Sequence, residues 1–189
     1  MRRPPATLVK SLPNAITVLR LFLVPAVVGL LLDGQGAAAF WVFIAAGLFD
    51  AVDGALARLL DARSELGAWL DPLADKALLG ATCLTMGATG LLPAWLVIII
   101  LFRDLLIIAG VLLLRIMGTA VTIRPLAVSK VNTAVQIALV GVVLAEPALG
   151  LPTAVVVPAM VWLTVATTVA SAAGYVYVWA RQMLAPPAK

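Results

Sequence analysis

Residues 47–79 read GLFDAVDGALARLLDARSELGAWLDPLADKALL and gather aspartates within a very apolar chain. Asp50, Asp53, Asp71 and Asp75 are four of the nine acidic residues of the protein. They stand at or near the ends of two apolar runs, where a charged side chain is costly if the runs lie in a membrane. This stretch therefore bears on both the fold and the chemistry.

Composition predicts an integral membrane protein. Hydrophobic residues form 63% of the 189 positions, charged residues only 12%, and the mean hydropathy is +1.13. Soluble domains have a nearly even share of apolar residues. Because a span needs about 20 apolar residues, the length allows roughly six spans with short connections. The net charge of +4 comes from basic residues that gather on one side of the predicted membrane topology. Nucleic acid is therefore not an expected partner.

Hydropathy predicts an all-α fold of six transmembrane helices. The apolar runs lie at about residues 14–32, 38–57, 72–90, 93–114, 127–145 and 152–179. Basic residues fall on one side of this arrangement, whereas the opposite connections carry Asp33 and Glu146. By the positive-inside rule both termini are cytoplasmic. We expect a single membrane domain over residues 1–189, with residues 1–13 as a juxtamembrane segment.

Two residue types that often carry enzyme chemistry are scarce in the chain. Histidine is absent, and Cys83 is the only cysteine. A histidine base, a thiol-rich metal cluster and an internal disulfide are therefore excluded. Any proton transfer or metal binding falls to carboxylates.

The spacing of the aspartates predicts a shared cavity. Asp50 and Asp53 are three residues apart, and Asp71 and Asp75 are four apart, so each pair lies on one helical face. The short link between the two helices makes them antiparallel neighbours. Four ionised carboxylates at the edge of a low-dielectric region must take up protons or bind cations. Oxygen ligands alone indicate magnesium, manganese or calcium, and two such ions would balance four charges.

Small residues and an arginine accompany the acids. Gly54 and Ala57 leave backbone accessible to a large ligand, and Arg58 is a fixed cation suited to bidentate phosphate contact. Together with divalent metals they suggest a pyrophosphate ligand. The alternative is that the acids are solvated helix ends and that Gly54 and Ala57 serve helix packing.

The stretch resembles the signature of the CDP-alcohol phosphotransferases, D-x2-D-G-x2-A-R-x8-G-x3-D-x3-D. Its eight fixed positions are met here by Asp50, Asp53, Gly54, Ala57, Arg58, Gly67, Asp71 and Asp75. Further similarity lies in Pro13-Asn14 with Thr17 and Arg20, LDPLADK at 70–76, RDLLI at 103–107 and SKVNTAVQ at 129–136. The resemblance implies a six-helix, usually homodimeric enzyme that transfers a phosphatidyl group from CDP-diacylglycerol to an alcohol with release of CMP.

The resemblance also implies residue roles. Two Mg²⁺ or Mn²⁺ ions would be held by Asp50, Asp53, Asp71 and Asp75, and Asp75 would be the catalytic base that takes the proton of the acceptor hydroxyl. Metals nearby make that hydroxyl more acidic, so a weakly basic carboxylate suffices. The expected nucleotide-binding residues are Asp53, Gly54, Ala57, Arg58 and Gly67, with Asn14 and Thr17 as further candidates. The implied location is a bacterial inner membrane, with the active site facing the cytoplasm.

The second half of the chain bears on the acceptor. RDLLI and SKVNTAVQIALV look most like CMP-forming cardiolipin synthases, whose acceptor is phosphatidylglycerol. In phosphatidylglycerophosphate synthases these sites more often read Arg-Glu and Gly-Lys-x-Lys-Thr, so Asp104 and Asn132 replace a glutamate and a lysine. A pocket with one cation fewer suits an acceptor that carries a phosphodiester better than one that carries a phosphomonoester. Glycerol 3-phosphate is the alternative acceptor, and a cation carrier using the aspartates is the alternative class.

Three basic residues are candidate acceptor ligands: Arg103, Arg124 and Lys130. For Arg124 and Lys130 the alternative is that they set the membrane topology near anionic lipid. Arg103 lies about 18 Å along its predicted helix from Arg115, a depth that requires a polar cavity or an acidic partner. It either binds acceptor phosphate or forms a structural ion pair. Asp104 is expected to point away from it, because neighbouring residues on a helix do not face each other.

Overall fold

The computed structural model describes residue 19 and residues 21–59, 65–117 and 126–184, with the backbone alone at 50–59, 65–75, 115, 183 and 184. These residues form six helices and no strand, as the all-α prediction requires. They are α1 (Leu21–Leu32), α2 (Gly36–Leu59), α3 (Glu65–Ala88), α4 (Ala94–Ile116), α5 (Ala127–Leu149) and α6 (Val156–Leu184).

Three helices in the described ranges are long and apolar enough to cross a membrane. The spans are Ala94–Leu114, Ala127–Leu149 and Val156–Gln182, while Leu21–Leu32 and Gly36–Phe49 are shorter apolar helices. A helix suits lipid because it satisfies its own backbone hydrogen bonds. Six crossings and cytoplasmic termini stay predictions.

Glycines end three of the helices. Gly34, Gly90 and Gly150 have φ values of 71°, 79° and 66°, in the left-handed region that side chains disfavour. Their backbone N–H groups donate to carbonyls of the preceding turn, at Leu31, Gly87 and Glu146 respectively. These are helix C-caps, and they separate consecutive helices with turns of a few residues.

Several predicted boundaries are wrong: α3 begins at Glu65 and not at about residue 72, and α6 spans Val156–Leu184 and not about 152–179. The fifth helix is also predicted to end at about residue 145, but α5 continues through Pro147 to Leu149. Pro147 has no N–H to donate to the carbonyl one turn back, yet the helix continues past it, and Gly150 supplies the actual stop. Pro147 also packs closely on Gly36, where an added Cβ would lie 3.0 Å from its Cγ.

The chain divides into two compact units. One unit comprises residues 1–91 and 143–152, and the other comprises 92–142 and 153–189. In the first unit, α2 buries Ala39, Phe43 and Ala46 at helical spacing. In α3, Thr82 is buried in the same unit, and its hydroxyl donates to the carbonyl of Leu78 in its own helix.

In the second unit, α4 and α6 run in the same direction. Trp95 packs against Trp162, with ring centroids 5.9 Å apart and ring planes tilted by 41°. Further along both helices, Arg103 contacts Ser171 and Gly110 meets Trp179. Residues later in α4 contact residues later in α6, so these two helices are parallel. Since α5 connects them, it must run in the opposite direction.

Large apolar side chains are exposed along the outside of α4. They include Ile98, Phe102, Leu105, Ile108 and Leu112. Water would make such a surface unfavourable, whereas lipid chains solvate it at no cost. The inward positions of the same helix are Leu96, Ile100 and Arg103, spaced by four and three residues. The helix therefore has a lipid-facing side and a packed side that carries one cation.

We expect Gly110→Ala to destabilise the α4–α6 pair, because the added Cβ would overlap the Trp179 indole. Overpacking costs about 1–3 kcal/mol, more than the roughly 1 kcal/mol that alanine gains over glycine in a helix. The measurement is the midpoint of thermal unfolding in detergent. Gly141→Ala on α5 is the matched control, since no described atom lies within 4 Å of its added Cβ. Equal midpoints for the two variants would contradict the prediction.

Candidate functional site

The structure places the signature residues on two consecutive helices. Asp50 and Asp53 stand one turn apart on α2, and Asp71 and Asp75 stand one turn apart on α3. The remaining signature positions, Gly54, Ala57, Arg58 and Gly67, also lie in α2 or α3. The predicted helical register of each pair is therefore present in the backbone.

Only five residues separate these helices, since α2 ends at Leu59 and α3 begins at Glu65. Short connections leave successive helices antiparallel and adjacent. The donor set carried by α2 and α3, four carboxylates without histidine or thiol, fits hard divalent cations. Among residues with described side chains no group of three acidic, histidine or cysteine residues could hold a metal, but the four aspartates lie outside that set.

Arg103 is the best-defined candidate residue. It is the tenth of the 21 residues of the Ala94–Leu114 span and is only 4% exposed. Its Nε donates to Ser171 Oγ at 3.1 Å, and Nη2 donates to Ser129 Oγ at 2.5 Å and also to Ser171. Nη1 donates to Asp104 Oδ1 at 2.6 Å. Of five guanidinium N–H groups, four have partners in the described part of the chain.

The expected orientation of Asp104 is wrong. Asp104 forms an ion pair with Arg103, and its side chain is 29% exposed against 5% for the arginine. Adjacent residues do point apart on a helix. The arginine side chain is long enough for its guanidinium to turn back towards the neighbouring carboxylate, because a lone charge at this depth is costly.

A second polar contact joins α5 to α6 one turn further on. Asn132 is completely buried, and its Oδ1 accepts hydrogen bonds from the hydroxyls of Thr167 and Thr168, both at 2.9 Å. Its Nδ2 and the Nε2 of Gln136 have no hydrogen-bond partner among the described residues. Asn132 is therefore a buried member of the α5–α6 contact.

The other candidate ligands are distributed unevenly. Lys130 is exposed in the first turn of α5, between Ser129 and Asn132. Arg124, Asn14 and Thr17 lie outside the described residues. The structure thus defines the surroundings of Arg103 and Lys130 alone among the sequence-predicted acceptor and nucleotide residues.

Sequence reasoning missed two contributors to this cluster, Ser129 and Ser171. In a membrane helix, small hydroxyl residues occur at helix-packing contacts as well as at functional sites, so their identity alone does not indicate a function. Their spacing could have indicated that they share a helical face with other polar residues. Polar residues recur on α6 at Thr164, Thr168 and Ser171, and on α5 at Ser129 and Asn132, which are the three- and four-residue steps of one helical face.

An open groove of about 400 Å³ lies along α4 and Trp179 of α6. Its lining is Phe102, Leu105, Leu106, Ala109, Gly110, Leu113, Leu114 and Trp179. None of these side chains can move a proton or bind phosphate. The groove is therefore part of the apolar surface and not the reaction site.

Comparison with known proteins identifies the same family as the signature. The model of the CDP-alcohol phosphatidyltransferase family matches residues 10–171. A probable CMP-forming cardiolipin synthase of Drosophila melanogaster is 31% identical over 184 residues. A chloroplastic CDP-diacylglycerol–glycerol-3-phosphate 3-phosphatidyltransferase of Oryza sativa subsp. japonica is 32% identical over 183 residues, and the CMP-forming cardiolipin synthase of Homo sapiens is 33% identical over 181.

These matches cover 89%, 87% and 87% of the chain, but 57%, 56% and 60% of the relatives. The chain thus spans little more than half the length of the relatives it matches. Their names describe two different activities, cardiolipin synthesis and phosphatidyl transfer to glycerol 3-phosphate, at nearly equal identity, so similarity alone does not decide between these activities. The family model covers most of the chain, including all eight signature positions, and the chain belongs to the CDP-alcohol phosphatidyltransferase family.

Proposed function

We propose that the chain transfers a phosphatidyl group from CDP-diacylglycerol to an alcohol in anionic phospholipid synthesis. The observation that carries this proposal is the complete signature on α2 and α3, at the spacing that the family requires. The acceptor oxygen attacks the phosphatidyl phosphorus, and the bond from that phosphorus to the CMP oxygen breaks. CMP leaves with the electron pair of that bond, so no covalent enzyme intermediate is needed.

The aspartates divide the work of this reaction. Asp50, Asp53, Asp71 and Asp75 are the proposed ligands of two Mg²⁺ or Mn²⁺ ions, which when bound supply positive charge to the diphosphate and the departing CMP. Asp75 also accepts the proton of the acceptor hydroxyl as the new bond forms. Arg58 offers a planar pair of N–H groups to phosphate oxygens.

The remaining nucleotide contacts follow the signature. Gly54, Ala57 and Gly67 carry little or no side chain, which lets the nucleotide approach the helical backbone of α2 and α3. Asp53 directly precedes Gly54 in the signature, so we assign it to both the metal site and the nucleotide site. Asn14 and Thr17 complete the proposed nucleotide-binding set.

We propose phosphatidylglycerol as the acceptor, which makes cardiolipin the product. The charge balance in the second unit supports this choice. The Arg103 cation is already paired with Asp104, and Asn132 is a neutral residue held by two threonines. Among the candidate acceptor ligands whose side chains the structure describes, Lys130 then remains without an ion pair to another described residue, together with one unassigned N–H of Arg103.

A small positive charge suits a phosphodiester, which carries a single negative charge. A phosphomonoester such as glycerol 3-phosphate carries about −1.5 to −2 at neutral pH and would favour a further cation. Glycerol 3-phosphate is the alternative acceptor that the experiment below separates. We further propose a homodimer in a bacterial inner membrane, with the reaction on the cytoplasmic side, where the positive-inside rule places the signature.

The first test is CMP release by the purified protein with CDP-diacylglycerol and Mg²⁺. Phosphatidylglycerol and glycerol 3-phosphate are supplied in separate reactions, and the lipid products are identified by mass spectrometry. We expect cardiolipin from the first and no phosphatidylglycerophosphate from the second. The reverse result would show that glycerol 3-phosphate, and not phosphatidylglycerol, is the acceptor. If neither acceptor gives CMP, the carrier hypothesis is tested next by measuring metal uptake into vesicles.

The second test separates the aspartate roles. Asp75→Asn is expected to reduce kcat by about 10²–10⁴-fold, the usual contribution of a general base, or more if a metal site is weakened. It should largely spare CDP-diacylglycerol binding, whereas Asp50→Asn or Asp71→Asn should also lose metal-dependent binding. The readouts are steady-state kinetics and equilibrium binding of CDP-diacylglycerol with and without Mg²⁺.

The matched control makes the same chemical change elsewhere. Asp33 is exposed in the turn between α1 and α2, and Asp33→Asn should leave both readouts unchanged. Full turnover by Asp75→Asn would remove that residue from the role of base.

A further inference from the structure

We propose that Ser171 is a positioning residue for the acceptor site. It fixes the Arg103 guanidinium, and through Ser129 it sets the first turn of α5, on which Lys130 stands. This inference rests on the proposed function and deepens it, because it assigns to α6 a residue that acts on the acceptor side of the reaction alone.

The contacts of Ser171 carry the first step. The residue is completely buried, and its Oγ accepts hydrogen bonds from both Nε and Nη2 of Arg103. The two N–H groups lie on one edge of the planar guanidinium, so a single oxygen that meets both restricts the rotation of the group. The orientation of the guanidinium is therefore defined from α6.

The same guanidinium holds α5. Nη2 reaches Ser129 Oγ at 2.5 Å, and Ser129 is the third residue of that helix. On the opposite side, Nη1 is held by Asp104 of α4. Arg103 thus joins all three helices of its unit through side-chain hydrogen bonds, and α5 is attached at its first turn.

Lys130 lies between two attached positions. Ser129 precedes it and is bound to Arg103, and Asn132 follows it and is bound to Thr167 and Thr168 of α6. The backbone of Lys130 is therefore fixed, although its side chain is exposed. The exposed ammonium group of Lys130 therefore extends from a fixed point of the backbone, and recognition of an acceptor phosphate requires such positioning.

Loss of the Ser171 hydroxyl would affect this point through Arg103. In Ser171→Ala, Nε–H loses its acceptor and Nη2 keeps only Ser129. A buried donor without a partner is unfavourable, so the guanidinium moves to recover a hydrogen bond. The attachment of Ser129 is then weakened, and the first turn of α5 becomes more mobile.

The experiment compares Ser171→Ala with Thr164→Val in the intact protein, purified into lipid nanodiscs. Thr164 is the matched control, since it is completely buried on the same helix and its hydroxyl donates only to the carbonyl of Met160 in that helix. Ser129→Ala, which removes the α5 contact directly, is the second test variant. Two readouts are taken: hydrogen exchange of the peptide that contains residues 127–133, and steady-state kinetics in each substrate.

We expect Ser171→Ala and Ser129→Ala to raise the exchange rate of that peptide and to raise KM for phosphatidylglycerol about tenfold, the effect of one lost hydrogen bond to a charged group. KM for CDP-diacylglycerol should not change, and Thr164→Val should change neither readout. A general loss of packing would instead alter both KM values and accelerate exchange throughout α6.

Unchanged exchange in both serine variants would overturn the attachment of α5 through Arg103. Raised exchange with an unchanged acceptor KM would overturn the role of Ser171 in the acceptor site. Absence of transfer by the unmodified protein would instead contradict the proposed function, and the positioning role would fall with it, while the exchange result would still report whether Ser171 holds the turn.

Discussion

The structure of the second unit depends on satisfying one guanidinium at the middle of an apolar span. Arg103 cannot share its charge with water at that depth, and lipid offers no hydrogen bonds. Its partners must therefore come from the protein, and they come from three helices: Asp104 of α4, Ser129 of α5 and Ser171 of α6. Because each partner is a short side chain, the helices must approach closely at this level.

The remaining contacts are consistent with that close approach. Asn132 meets Thr167 and Thr168 just beyond Ser129 on the α5–α6 interface. At the ends of the α4–α6 pair, bulky groups replace hydrogen bonds, with Trp95 near Trp162 and Trp179 packed over Gly110. Hydrogen bonds are directional and so fix the helical register, whereas the apolar contacts tolerate small shifts. The polar residues in the middle therefore specify the arrangement, and the aromatic residues fill the space around it.

The sequence was sufficient to predict the number of helices, but it was much less informative about which side chains contact each other. Apolar run length predicted six helices, because lipid demands continuous helical segments, but it misplaced the start of α3 and the end of α5. The polar residues from Glu65 to Asp71 interrupt the apolar pattern although the helix includes them, and α5 continues past Glu146 through Pro147 until Gly150 ends it.

The partner of Arg103 could not be predicted for a similar reason. Helix geometry argues against Asp104 on spacing, and only the flexibility of the arginine side chain makes the pair. Ser129 and Ser171 carry no charge and no rare chemistry, so no local feature distinguished them from packing residues. Their function follows from what they touch, which depends on how three helices are arranged.

This contrast explains why the sequence identifies the donor more clearly than the acceptor. Under the proposed function, the diphosphate of CDP-diacylglycerol is recognised by metals, and metals require carboxylates at fixed helical spacing. The signature of eight positions is the direct consequence. The acceptor is recognised beside a cluster whose charge is already neutralised by Asp104 and whose other members are hydroxyls and amides.

Hydroxyls and amides replace one another readily while keeping a hydrogen bond, so a family can change its acceptor with little change in sequence. Relatives named for phosphatidyl transfer to glycerol 3-phosphate and for cardiolipin synthesis are accordingly 32% and 31% identical to this chain. Under the proposed function, the number of cations near the acceptor site influences which acceptor binds. In this chain the neutral Asn132 stands where the phosphatidylglycerophosphate synthases more often have a lysine, and under the proposed function this favours the acceptor of lower charge.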